Sequence, residues 1–76
     1  MNEEEVLKDT VEYLDEKLRE AIIAVNNIAA KVYEGNLDAY EGFTQTEKYN
    51  KIIVEIGNKL KEKGIDITQI PEYQQL

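Results

Sequence analysis

The sequence contains no cysteine, histidine, serine or tryptophan, and a single proline. Each absence removes a class of function. Without cysteine there is no disulfide to staple the fold and no thiolate to hold a metal. Without histidine, serine or cysteine, the usual nucleophile–base pairs of covalent catalysis cannot be assembled. The longest apolar run, Ala21 to Val25, falls far short of the roughly 20 residues of a membrane-crossing helix. The amino-terminal MNEEEVLK is acidic, whereas a secretory signal starts basic and continues apolar. No glycine-rich phosphate loop follows a strand, because no strand is expected. The chain reads as a soluble, cytoplasmic protein that is not an enzyme, with no cofactor, no metal site and no membrane segment.

What is present is acidic and helical. The formal net charge is −7 over 76 residues. Residues 1–20 hold eight acids and three bases, whereas residues 44–64 hold three acids and five lysines. The overall field repels phosphate backbones, so direct DNA or RNA binding is not expected. The asymmetry suits an acidic element lying beside a basic one. A chain this short forms one domain, 1–76, and needs a staple or a partner to bury enough surface.

Apolar residues in the first half recur at Leu7, Val11, Leu14, Leu18, Ala21, Val25, Ile28 and Val32. Their alternating steps of four and three make a heptad seam. The pattern predicts a helix over about 4–34, with Glu3, Glu4 and Glu5 near its positive end and Gly35 just past its other end. Residues 35–43, GNLDAYEGF, read as a connection. Thr44 followed by Glu47 forms a capping-box pattern, which starts a second helix over about 44–63. Its apolar face carries Tyr49, Ile53, Ile56 and Leu60, widened by Ile52, and Gly64 ends it. Gly57 in its interior is either a tolerated weak point, costing about 1 kcal/mol against alanine, or a place where another helix comes close. The tail 64–76 alternates apolar and polar residues at Ile65, Ile67 and, after a break, Ile70 before Pro71, and reads as extended or partly helical. The expected fold is an all-α antiparallel helical hairpin with that tail, assembled into an oligomer.

The expectation of an oligomer comes from LREAIIAVNNIAA, residues 18–30. With Val25 on the seam, Ile23, Asn26, Asn27 and Ala30 share a different face at spacing i, i+3, i+4, i+7, with Arg19 at its edge. Between Ala21 and Ala30 the helix is therefore apolar nearly all round, and such a helix is buried on more than one side. A hairpin covers one side. The other should meet a second subunit, a protein partner or the tail. Asparagine amides on such a face fix register across an interface or hold a polar ligand, unless they are simply hydrated. Arg19, the only arginine, could equally be a surface partner of Asp15. The tyrosines are packing residues or platforms for a planar ligand. The stripe Glu12, Glu16, Glu20 reads as a solvated face.

LREAIIAVNNIAA resembles the second helix of phage helical-hairpin proteins, and EKYNKI, residues 47–52, is similar to their first helix. The two patches stand here in the opposite order. Proteins of that sponge type (anti-CBASS or anti-Thoeris) are small, helical and oligomeric, and sequester nucleotide immune signals between subunits without hydrolysing them. The resemblance implies a phage or mobile-element accessory protein, a homo-oligomer with a small nucleotide ligand facing Arg19, Asn26 or Asn27, and Tyr49. On so acidic a chain an anionic ligand needs the bases of Arg19, Lys48 and Lys51 to converge. The alternative is a protein-binding inhibitor, antitoxin or adaptor that uses the acidic first half of the first helix.

Overall fold

Thr10 sits in extended backbone and its hydroxyl accepts the Tyr13 amide at 3.2 Å. That contact satisfies one of the donors a helix start leaves open, and it begins α1, Val11–Tyr33. The computed structural model describes residues 10–74. The expected start near residue 4, with Leu7 on the seam, lies outside the described residues. A helix running unbroken through Thr10 is corrected, because this threonine caps rather than continues. At the other end Gly35 takes φ +81°, as a helix-terminating glycine does.

The second helix, α2, spans Ala39–Glu62. It starts about a turn and a half before the expected Thr44. The cap is Asp38, whose carboxylate accepts the Tyr40 and Glu41 amides at 3.0 and 3.3 Å. A carboxylate at this position satisfies two open amides and meets the positive helix end. Thr44 lies inside the helix, and its hydroxyl donates to the Tyr40 carbonyl at 3.0 Å. The connection is thus shorter than the expected 35–43, and Gly42 belongs to a helix rather than a loop.

Helices α1 and α2 pack antiparallel around a small core. Leu14 and Leu18 meet Ile56 and Leu60 in one cluster. Toward the hairpin tip, Gly42 approaches Val32 and Ile28. Together these contacts place residue 14 level with 60, 18 with 56 and 32 with 42. The seam residues divide unequally: Leu14, Leu18, Ala21 and Ile28 are buried, Val25 and Val32 are half-buried, and Val11 is exposed. A straight helix drifts about 20° per heptad against a strict seven-residue repeat, so the buried stripe leaves part of the sequence seam.

The tail folds back along the hairpin. After Gly64, at φ +86°, a 3-10 turn covers Ile67–Gln69 and a short α3 covers Pro71–Gln74. Asp66 caps the turn, accepting the Thr68 amide at 3.0 Å and its hydroxyl at 2.6 Å. These two bonds hold the Asp66 carboxyl below its ordinary range. Pro71 opens α3, where its missing N–H costs nothing. Ile65, Ile67 and Tyr73 lie against the core cluster. The tail is partly helical, one of the two expected forms. Among the described residues no helix is long and apolar enough to cross a membrane.

Candidate functional site

The hairpin is a single layer with two broad faces. The first is occupied by the tail. Ile67 reaches so close to Gly57 that a Cβ built there would lie 3.1 Å from Ile67 Cδ1. Arg19 holds the end of the tail. Its Nε donates to both Asp15 carboxylate oxygens at 3.1 Å, and its Nη2 to Glu72 at 3.0 Å. The same guanidinium lies 5.2 Å from the Tyr73 ring centroid, and the Tyr73 hydroxyl donates to Asp15. The carboxylates of Glu72 and Asp15 keep the guanidinium firmly charged. Desolvation, reinforced by the bond to Asp15, pushes the Tyr73 hydroxyl up to about 12.

Among the described residues no segment covers the second broad face. Between α1 and α2 on this side runs a groove of about 500 Å³. Its floor is apolar, formed by Leu14, Ala21, Ala24, Ile52 and Ile56, with Tyr13 and Tyr49 at its two ends. Its rims are charged: Lys17 and Glu20 on α1, Glu55 and Lys59 on α2. Lys17 pairs with Glu20 at 3.3 Å, and this bond raises the Lys17 pKa. Lys17 also stands 5.5 Å from the Tyr13 ring centroid. Aromatic rings at both ends of an aliphatic trough, with charges only at the edges, make a surface suited to receiving an amphipathic helix.

The residues singled out in the sequence are dispersed. Ile23 is 47 % exposed, and Asn26, Asn27 and Ala30 are exposed. They do form one face of α1. The tail contacts the helix at Arg19 and Asp15, through Glu72 and Tyr73, rather than on this face. Burial of that face on a second side is therefore not realised within one chain. Arg19 belongs to the tail-covered face and is engaged by two carboxylates, whereas Tyr49 belongs to the open groove. The convergence of Arg19 with Tyr49, Lys48 and Lys51 does not occur within the chain. Lys48 and Lys51 are exposed, and Lys51 borders a second hollow of about 630 Å³ along α2, with Asn50 and Val54, that meets the groove at Ile52 and Glu55.

Sequence reasoning placed Ile52 on the apolar face, Tyr13 among the packing tyrosines and Glu20 on a solvated stripe, and did not bring them together with Lys17, Ala24, Glu55 and Lys59 as one groove. Their spacing was visible, since the set on each helix repeats at steps of three and four. They flank the apolar seam, however, and flanking charges look like ordinary solvated positions. Among the described residues no group of three acidic or other ligating side chains is placed to hold a metal ion. Comparison of the chain with known protein families, curated proteins and solved structures finds no match.

Proposed function

We propose that the protein is a non-enzymatic binding module that works by docking a helical polypeptide in the groove between α1 and α2. The observation that carries this reading is the inequality of the two faces. The tail covers one broad face, and among the described residues nothing covers the other, where Ile52 is exposed and Tyr13 and Tyr49 are half-buried beside the groove. A two-helix layer gains much from a further helix on its open side, since three or four helices enclose a core that two cannot.

The nucleotide ligand implied by the resemblance to sponge-type hairpins is a different class. It would need cations aimed at phosphate. The groove offers equal numbers of acids and bases on its rims, and the only guanidinium is engaged at the tail. The balance of charge therefore favours a polypeptide.

The test combines two measurements. A photo-cross-linking amino acid placed at Ala24 or Ile52 in living cells should form adducts with a polypeptide, while the same probe at Asn58 should not. Thermal unfolding with cyclic di- and trinucleotides should show no shift. A ligand present at a hundred times its dissociation constant would add about 2.7 kcal/mol, so a large upward shift with any of them overturns the polypeptide reading.

A further inference from the structure

We infer that the helix pair received by the groove is that of a second copy of this chain, related by a two-fold axis through the middle of the groove. This rests on the groove being a docking site, and it names the occupant. The argument comes from the order of charges along the two rims. Antiparallel packing with residue 42 against 32 sets residue 14 about level with 60 and 18 about level with 56, within one cluster. Lys17 on α1 and Lys59 on α2 therefore lie within about 3 Å of one level along the hairpin axis, at 1.5 Å of rise per residue. Glu20 and Glu55 share the next level, about one turn nearer the hairpin tip. Ala24, Ile52 and Tyr49 follow beyond them, and Tyr13 lies on the opposite side of the lysines.

Within one chain this order sets like charges opposite each other across the groove, lysine level with lysine and glutamate level with glutamate. Mutual support of the two rims would call for the reverse. A second copy turned end for end supplies the reverse. With the two-fold axis between the lysine and glutamate levels, Lys17 and Lys59 of each copy face Glu20 and Glu55 of the other. The same rotation carries Tyr13 of each copy to the level of Ile52 and Ala24 of the other. Aromatic and aliphatic surfaces then meet at both ends, with charge pairs in the middle. A two-fold interface must be self-complementary, and this groove is so in the order of its charges and in the meeting of Tyr13 with Ala24 and Ile52. The product is an antiparallel four-helix bundle whose outer faces carry the two tails.

Ion pairs of this kind define orientation and respond to salt. The experiment is sedimentation equilibrium of the full chain at micromolar concentration, with helix content checked by circular dichroism. The expected species has twice the 8.8 kDa chain mass. Association should weaken by at least tenfold between ~0.1 M and ~1 M salt, as the screening length falls from about 10 Å to about 3 Å. The double variants Lys17→Glu/Lys59→Glu and Glu20→Lys/Glu55→Lys should each be monomeric alone. Mixed in equal amounts, they should form a one-to-one heterodimer. Ile23→Asp, on the outer side of α1, should leave the dimer intact.

A wild-type monomer would overturn the self-pairing and leave the groove reading standing. A dimer insensitive to both reversals, or dissociated by Ile23→Asp, would also overturn it. Thiol labelling of Ala24→Cys separates the two readings in a dimer. Slow labelling supports groove burial, whereas labelling as fast as in a denatured chain overturns the pairing and the groove reading together.

Discussion

Gly42 and Val32 are so close that a Cβ built on Gly42 would stand 2.5 Å from Val32 Cγ2. This close approach of the two helices near the hairpin tip is possible because residue 42 has no side chain. Valine in a helix has one strongly preferred rotamer, so Val32 cannot easily swing away.

Gly42→Ala should therefore destabilise the protein, although alanine is the better helix former by about 1 kcal/mol. Overpacking a tight contact costs roughly 1–3 kcal/mol. The net loss lowers the unfolding midpoint, by about 4–8 °C for each kcal/mol in a domain of this size. In a Val32→Ala background the sign of the Gly42→Ala effect should reverse. Thermal melts of the four proteins in the cycle check this.

Gly57→Ala should behave differently. The neighbouring atom is Ile67 Cδ1, the end of a flexible side chain, at 3.1 Å. A small shift of Ile67 relieves the contact, so the substitution should be neutral or stabilising, by less than the full ~1 kcal/mol of helix propensity. With Ile67→Ala the full gain should appear. A loss of several degrees from Gly57→Ala would show that the tail is held more rigidly than these contacts imply.

The tail should undock in alkali. The Tyr73 hydroxyl is raised from its ordinary 10.0 to about 12. Its contribution to stability is fully present below pH 10 and is lost as pH rises toward 12, because the unfolded or undocked chain ionises first. Tyrosinate absorbance should show a late-titrating group that is lost in Tyr73→Phe. That variant should loosen the tail by about 1 kcal/mol, the scale of one hydrogen bond. Glu72→Gln should cost at most about 1 kcal/mol, because the Glu72 side chain is 74 % exposed and exposed ion pairs contribute little. Hydrogen exchange at residues 67–73 is the direct readout.

Leu18 and Ile23 should separate the core from the outer face of α1. Leu18 has no exposed surface, whereas Ile23 is 47 % exposed. Leu18→Ala should lower stability by about 2–5 kcal/mol. Ile23→Asp should leave helix content and denaturant midpoint nearly unchanged. Urea titration followed by circular dichroism distinguishes them, and a collapse of Ile23→Asp with survival of Leu18→Ala would reverse the assignment of faces.

The sequence by itself determined the all-α class, the two helices and the stops at Gly35 and Gly64. These are local properties. The repeat of Leu14, Leu18, Ala21 and Ile28 is readable wherever it occurs, and a glycine ends a helix whatever surrounds it. The i, i+4 pairing of Asp15 with Arg19 was legible for the same reason. The start of α2 was not. Asp38 and Thr44 both offer cap chemistry; the helix takes the earlier cap, which brings Gly42 into the helix beside Val32 and Ile28. Only the tertiary structure brought Glu72 to Arg19 across fifty-three residues and set Ile67 on Gly57. By docking the tail over the face of Arg19, it also decided which side of the hairpin, among the described residues, is left uncovered beside Ile52. Such contacts depend on how the chain returns upon itself, and helical periodicity carries no information about that return.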